Sequence, residues 1–267
     1  MVPHKNNSKK LSIITVNYND YKGLKRTLKS VLGQTYTNFE HIIIDGGSTD
    51  GGKELIESNK QHFSYWVSEA DKGIYNAMNK GIAKAKGEYV FFLNSGDEFL
   101  NSKALQSIVQ SLSGEDIIYF NINQVSNREE IKVKRVPSEL SFSYLYHDLP
   151  PHQSTFIKKK LFNDYGNYDE SLKIVADWKF LILALLKYNA TYKHVDKVFT
   201  NFYLGGVSSN SESFKLMQAE REIVLNKEFP ILLNDLKYKY TLERIIRGLR
   251  KSKKIQLLIK LGLINKL

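Results

Sequence analysis

The stretch Glu88–Asp97, EYVFFLNSGD, is an apolar run that ends at a small polar turn. Its first six residues, as far as Leu93, have the composition of a buried strand. Asn, Ser and Gly then follow in a row, which is typical of a tight turn, and the turn presents the carboxylate of Asp97. This acid either solubilises a turn or meets a charged ligand.

Strands and helices alternate on both sides of this stretch. The predicted strands are Leu11–Val16, Phe39–Asp45, Ser64–Glu69, Glu88–Leu93 and Asp116–Ile122. The predicted helices between them begin after Asp20, at Lys53, at Ile74 and at Ala104. This order predicts right-handed crossovers and a mostly parallel, Rossmann-like α/β sheet flanked by helices.

Polar residues follow four of the five predicted strands. In a parallel sheet, ligands bind beyond the carboxyl ends of the strands, so these residues are expected to meet at one rim. The four groups are Asn17–Asn19, Asp45–Ser48, Glu69–Lys72 and Asn94–Asp97. Their convergence favours a ligand-facing role for Asp97.

The pattern loosens after Asn123 and becomes helical and basic toward the C-terminus. An apolar helix is predicted over 177–188, and one or two strands over 190–206. We predict a domain over 1–210, with a regular half (10–123) and a less regular half (124–210). A helical basic tail over 211–267 completes the chain.

The positive charge is concentrated in this tail. The formal net charge is +11, and residues 233–267 hold ten Lys or Arg against two acids, which gives +8. The tail either packs on the domain with a solvated basic face or lies on an anionic membrane surface. Nucleic acid is a disfavoured partner, because aromatic residues do not interleave with the last basic residues.

Several classes of protein are excluded or disfavoured. There is no cysteine, hence no disulfide and no thiolate site. The polar start has no apolar signal core and no run has the length of a membrane span, so we expect a cytoplasmic protein, peripheral on the membrane's inner face if the tail binds lipid. The GxxxxGK[ST], GxGxxG, HExxH and GxSxG motifs are missing. The remaining oxygen-rich rim suits Mg²⁺ or Mn²⁺ shared with a diphosphate.

Four blocks of sequence stand in a distinctive order. They are SIITVNYN (12–19), IIIDGGSTDG (42–51), SEADKGIYNAMNKGIAKAKGEYVFFLNSGD (68–97) and PHQSTFIKKKLF with GNYDESLKIVADWKF (151–180). In order and spacing they resemble family 2 glycosyltransferases, above all those of bacterial surface-polysaccharide assembly. The resemblance implies a GT-A fold, with 10–123 as the nucleotide-binding half and 124–210 as the acceptor half. It also implies inverting transfer from a nucleotide sugar, with a UDP-sugar favoured, to a polysaccharide or lipid-linked saccharide.

The resemblance also implies roles for individual residues. Donor binding falls to Tyr18, Asp45, Asp71, Lys72, Gly73 and Asn94. Asp97 stands at the family's metal position, where relatives have two or three acids, and His152 is a candidate further ligand for Mg²⁺ or Mn²⁺. Asp177, in a later acidic block, matches the general base.

Each of these residues also has a simpler interpretation. Asp177 precedes an apolar helix and could be its N-cap, Asp97 could be a turn residue, and His152 could be structural. The single acid in the metal block leaves open a second hypothesis, a non-catalytic transferase-like binding module at the membrane. A nucleotidyltransferase is disfavoured, since no glycine-rich activated-phosphate loop is visible.

Overall fold

The computed structural model describes residues 10–126, 128–205 and 211–265, and the chain divides into two compact units, Met1–Met217 and Gln218–Leu267. The predicted boundary after residue 210 adjoins residues 206–210, which lie outside the described part.

The first unit is built around one sheet with the order β3-β2-β1-β4-β8-β6-β9-β5, with β7 paired to β6. The strands are β1 (Leu11–Asn17), β2 (Phe39–Asp45), β3 (Tyr65–Ser68), β4 (Tyr89–Phe92), β5 (Glu98–Phe99), β6 (Ile117–Val125), β7 (Ile131–Lys134), β8 (Thr155–Lys158) and β9 (Tyr192–Tyr203). The β1–β2 register aligns Asn17 with Asp45, so both polar residues end at the same edge.

Helices cover the sheet and form the C-terminal part of the chain. They are α1 (Tyr21–Leu32), α2 (Gly52–Ser58), α3 (Ile74–Lys84), α4 (Ala104–Ile108), α5 (Phe142–His147), α6 (Lys159–Tyr165), α7 (Ala176–Leu186), α8 (Ser211–Glu228), α9 (Pro230–Lys251) and α10 (Lys253–Lys260). Asp20 caps α1 as predicted, because its Oδ1 accepts the backbone N–H of Gly23 at 3.0 Å. Among the described residues, no helix combines the length and apolarity needed to cross a bilayer.

The sheet is less parallel than predicted. Strands β3, β2, β1 and β4 are parallel neighbours, as the alternating pattern requires. The fifth predicted strand, β6, is not the next parallel neighbour, because β8 inserts between β4 and β6 and runs antiparallel to both. The pairs β5–β9 and β6–β7 are also antiparallel, so the sheet is mixed.

Aromatic side chains fill the core around the inserted strand. Phe91 of β4 stacks on Phe156 of β8 with ring centroids 4.5 Å apart, and Phe199 of β9 meets both rings. All three are at most 1% exposed. This packing fixes β4, and therefore the turn that follows it.

A buried histidine on β2 makes the fold sensitive to acid. His41 lies beside the hydroxyl of Thr15, with Nε2 and Oγ1 3.0 Å apart. Because Thr15 donates to the carbonyl of Leu93 at 2.9 Å, Nε2–H of His41 is the donor to Thr15. Burial lowers the pKa of His41 to about 3.

We expect His41→Gln to flatten the acid dependence of stability. The unfolded chain takes up this proton near pH 6.5 and the folded chain only near pH 3, so wild-type stability falls as pH drops through that window. Within this window His41 lowers the free energy of unfolding by about 1.4 kcal/mol for each pH unit of acidification. Urea unfolding at several pH values measures it, and the exposed His62→Gln is the control. Parallel pH curves for wild type and His41→Gln would contradict the assignment.

Candidate active site

The turn after β4 is held in place by helix α1. The hydroxyl of Thr27 donates to the backbone oxygen of Asp97 at 2.7 Å and accepts the N–H of Gly96 at 3.1 Å. Gly96 has φ +97°, which glycine adopts without strain. Arg26 Nη1 donates to the Gly96 carbonyl at 3.2 Å. Asn94–Asp97 is therefore a fixed turn.

Asp97 is a buried acid with few donors for its charge. It is 5% exposed, and burial raises the pKa of its carboxyl to about 7, although the charge of His152 and a hydrogen bond from the Tyr203 backbone act in the opposite direction. In the same turn, the buried Oδ1 of Asn94 has no hydrogen-bond partner among the described residues. Buried oxygen atoms with too few hydrogen-bond donors suit a hard divalent cation.

A second buried acid, Asp177, is paired with His152. The Nδ1 of His152 lies 3.5 Å from Oδ2 of Asp177. Burial alone would raise the pKa of Asp177, but the bonds from His152 and Tyr75 outweigh it and lower that pKa. Burial would lower the pKa of His152, but Asp177 outweighs it and raises that pKa. Both directions favour an aspartate–imidazolium pair.

Asn94 links this pair to the turn. Its Nδ2 lies 3.2 Å from Nε2 of His152, an arrangement that suits a neutral ring. A charged His152 needs an acceptor at Nε2, which Asn94 supplies when its amide rotates by half a turn and brings the unpartnered Oδ1 to the ring. With Nδ1 facing Asp177 and Nε2 facing Asn94, His152 contacts a metal only if it gives up one of these partners.

The two oxygens of Asp177 have different surroundings. Oδ1 accepts the backbone N–H of Trp178 at 2.9 Å and the hydroxyl of Tyr75 at 2.8 Å, whose proton is shared with the backbone oxygen of Ile174 at 2.6 Å. Burial and Asp177 raise the pKa of Tyr75 well above 10, so this hydroxyl keeps its proton. Asp177 is not the N-cap of α7, since Val175 holds that position and Asp177 lies in the first turn. Oδ2 has only the longer contact, 3.5 Å, to Nδ1 of His152, and it is therefore the oxygen with room to take a proton.

The donor-binding candidates form a second group beside the first. The side chains of Asp71 and Tyr18 both lie against Gly46. A Cβ added to Gly46 would lie 2.5 Å from Oδ2 of Asp71 and 3.1 Å from Cδ2 of Tyr18, so only glycine leaves space for both side chains. Tyr18 is 65% exposed, which leaves its ring accessible to a planar partner. Asp71 Oδ1 also accepts the N–H of Gly73 at 2.8 Å.

Lys72 and Gly73 stand at the start of α3. The Lys72 side chain is exposed, and its backbone N–H donates to Oδ1 of Asn76 at 3.2 Å. The positive charge of Lys72 is felt at Glu170. Hydrogen bonds from Asn79 and Asn76 lower the pKa of Glu170 most, and the charge of Lys72 lowers it further. Gly73 has φ +119° and nothing within 4 Å of the position of a Cβ. The N-terminus of α3 is therefore open, and the positively charged side chain of Lys72 lies beside it.

Asp45 differs from the other candidates because its hydrogen-bonding capacity is already used. It is fully buried and accepts Asn17 Nδ2 at 2.7 Å, Ser68 Oγ at 2.6 Å, and Ser48 through its hydroxyl at 2.6 Å and its N–H at 2.9 Å. Burial would raise its pKa, but these bonds lower it. A ligand touches this carboxylate only by displacing one of these donors.

The structure therefore brings Asn94, Asp97, His152 and Asp177 together, and Tyr18, Asp71 and Gly73 together. Sequence reasoning missed Tyr75, which joins the two groups because it lies two residues after Gly73 and holds Asp177. Its place inside the donor block was the available signal, but its partner is 102 residues away in the chain. Glu98, next to Asp97, turns away and accepts Tyr203 at 2.8 Å.

The described residues contain no group of three or more His, Asp or Glu side chains that could hold a metal by itself. A cation at Asp97 would therefore need ligands from a bound molecule. Mg²⁺ commonly has one or two protein carboxylates, with phosphate oxygens and water completing its octahedron. Asp97 fits that pattern, and so does Oδ1 of Asn94 in the orientation in which its Nδ2 faces a neutral His152 ring.

The family model described as Glycosyl transferase family 2 matches residues 12–167, which is more than half of the chain. This chain belongs to that family. As a family 2 glycosyltransferase it has relatives that include glycosyltransferase Rv1514c of Mycobacterium tuberculosis, which is 36% identical over 181 residues (66% of this chain, 69% of the relative). Another is a PGL/p-HBAD biosynthesis glycosyltransferase of Mycobacterium bovis, 27% identical over 177 residues (64% and 68%).

Solved structures give the same fold. Staphylococcus aureus TarS 1–349 in complex with UDP aligns with a TM-score of 0.61 and 21% identity, covering 82% of this chain and 70% of that one. The UDP-GlcNAc complex of TarS gives 0.62 and 20%, covering 82% and 71%. The mannosyltransferase PcManGT of Pyrobaculum calidifontis, with GDP-Man and Mn²⁺, gives 0.58 and 14%, covering 75% and 58%. The predicted GT-A fold is confirmed.

Proposed function

We propose that this glycosyltransferase moves a sugar from a nucleotide-sugar donor to a saccharide or lipid-linked saccharide, with inversion at the anomeric carbon and Asp177 as general base. The observation that carries the proposal is the buried aspartate–histidine pair beside a second buried acid. Nothing in the fold requires two such acids in one place, because burying a carboxylate is costly. Perturbed carboxylates in a polar rim are typical of catalytic sites.

The donor would bind across the group formed by Tyr18, Asp71 and Gly73. The exposed ring of Tyr18 would stack on the base, and Asp71 would accept hydrogen bonds from the nucleoside. The exposed ammonium of Lys72 would lie near the diphosphate. A UDP-sugar is the favoured donor, which suits the two UDP-type complexes among the structural relatives.

Asp97 would hold a divalent cation, Mg²⁺ or Mn²⁺, together with the diphosphate, and Asn94 Oδ1 would be a further ligand while Nδ2 of Asn94 faces a neutral His152 ring. The cation supplies positive charge to the diphosphate as the leaving group becomes more negative. It would also supply the countercharge that the buried Asp97 carboxylate lacks. His152 stays a candidate ligand that would first have to release Asn94.

The transfer itself would be a single displacement. The acceptor hydroxyl forms the new bond to the anomeric carbon while the bond from that carbon to the diphosphate oxygen breaks, and the diphosphate leaves with the electron pair. Oδ2 of Asp177 takes the hydroxyl proton, since Oδ1 already accepts two hydrogen bonds. Lys72 would stabilise the departing charge. Because the reaction needs a nucleotide sugar, we propose that it takes place on the cytoplasmic side of the cell membrane.

A thermal-shift panel tests the donor and metal assignments. We expect UDP or a UDP-sugar, with Mg²⁺ or Mn²⁺, to raise Tm, because a ligand that binds only the folded chain stabilises it. GDP, dTDP and CMP with the same metals are the comparison, and Asp97→Ala is expected to remove the metal-dependent part of the shift. A Tm unaffected by every nucleotide would instead favour the non-catalytic binding module. An unchanged shift in Asp97→Ala would place the metal elsewhere.

A further inference from the structure

Helix α9 carries an exposed apolar stripe along one side. The stripe consists of Ile231, Tyr238, Leu242, Ile245 and Leu249, which are 76%, 67%, 41%, 51% and 39% exposed. Their spacing of seven, four, three and four residues keeps them on one face of an α-helix. Isolated exposed apolar residues are ordinary on a protein surface, but five in one row indicate an interaction surface.

The opposite side of α9 behaves differently along its length. Leu233 and Leu236 are 1% and 6% exposed and lie on the far side of the helix from the stripe. From Thr241 to Lys251 every residue is exposed. The second half of α9 is thus an uncovered amphipathic helix, and apolar side chains beyond it, including Leu257 and Leu261, are exposed as well (56% and 62%).

The charges around the stripe select its partner. Residues 233–267 hold ten Lys or Arg and two acids, and exposed basic residues such as Arg244, Arg247 and Lys251 lie on the side of α9 away from the stripe. A second copy of this chain would bring two strongly positive helices together, which is unfavourable. An anionic surface would attract every one of these charges.

We propose that α9 and α10 form a peripheral anchor that lies flat on an anionic lipid bilayer. The apolar stripe enters the boundary between headgroups and acyl chains, and the arginine and lysine side chains stay on the water side of the helix, where the negative potential of the headgroups attracts them. Each basic residue near such a surface strengthens binding about five-fold, because it contributes about 1 kcal/mol. This anchor does not depend on the proposed chemistry of the first unit.

Vesicle sedimentation of the full chain tests the anchor without any donor or acceptor. We expect binding to vesicles of phosphatidylcholine and phosphatidylglycerol in equal parts, little binding to pure phosphatidylcholine, and release by high salt. Leu242→Ser with Ile245→Ser is expected to lower the partition coefficient at least about ten-fold. Arg244→Gln with Arg247→Gln is expected to lower it about twenty- to thirty-fold.

Matched controls use the same chemistry elsewhere in the chain. Ile131→Ser with Val133→Ser removes two exposed apolar residues of β7, and Lys22→Gln with Lys25→Gln removes two exposed lysines of α1. Both are expected to bind vesicles like the wild type. Equal binding to neutral vesicles, no binding, or equal losses in the controls would overturn the proposal. So would a dimer in light scattering that only the stripe variant dissociates, because a second copy would then cover the stripe.

Discussion

The variant Asp177→Asn is expected to lose about a hundred- to ten-thousand-fold in kcat while the KM for the donor stays close to that of the wild type. Asparagine keeps an oxygen for the hydroxyl of Tyr75 and the N–H of Trp178, so the geometry at Oδ1 is preserved. Oδ2, the oxygen that faces His152, becomes an amide nitrogen and can no longer take a proton. The expected defect is therefore in the chemical step.

Steady-state kinetics with the donor found in the thermal-shift panel measures this effect. Asp164→Asn is a suitable control, because Asp164 is a partly exposed acid in an i,i+4 pair with Lys160 and is expected to keep full activity. A folded Asp177→Asn enzyme with unchanged kcat would rule out Asp177 as the base. A large rise in donor KM with constant kcat would instead assign Asp177 to substrate binding.

The second large effect combines a loss of activity with a gain in stability. Asp97→Asn is expected to lower activity at least about a hundred-fold, because the countercharge for the metal diphosphate is lost. In metal-free protein above pH 7, where the Asp97 carboxyl is ionised, the same change is expected to raise Tm by about 2–6 °C, since it removes a buried charge with few donors. A purely structural turn residue would give neither result.

Asp116→Asn is a control for which the expected change in Tm has the opposite sign. It lies 3.5 Å from the ammonium of Lys158 and accepts hydrogen bonds from Thr191, and these contacts lower its pKa despite partial burial. Asp116→Asn is therefore expected to lower Tm and to leave activity unchanged. If Asp97→Asn also lowered Tm in the metal-free protein, the view of Asp97 as a carboxylate kept for function at a cost in stability would be wrong.

Sequence reasoning worked best where local patterns determine the structure. The apolar runs that became β1 to β4 are bounded by turns and helices, and this alternation predicts parallel strands with right-handed crossovers but not their order in the sheet. The polar residues after these strands were expected at one rim for the same reason. Strand β8 was missed because TFIK is four residues long and its place between β4 and β6 is set by long-range packing around Phe156.

The sequence selects candidate site residues but does not give the contacts between them. The resemblance selected Asp97, His152 and Asp177 individually, yet His152 was considered only as a structural residue or a metal ligand. Its pairing with Asp177 depends on the distance between the turn before β8 and the first turn of α7. No periodic pattern in the sequence predicts that distance. Asp45 shows the same limit, because sequence cannot show that four hydrogen bonds already occupy a carboxylate.

Helix α3 has a consequence for how such an enzyme can diverge. Its first turn follows Gly73 at the proposed donor site, Tyr75 donates to Asp177, and Asn76 and Asn79 both donate to Glu170. Adding or deleting one residue in this helix would rotate everything beyond it by about 100°. On the proposed donor site, a new nucleotide preference can therefore arise by exchanging side chains around Tyr18, whereas an insertion or deletion between Gly73 and Asn79 would separate Tyr75 from Asp177.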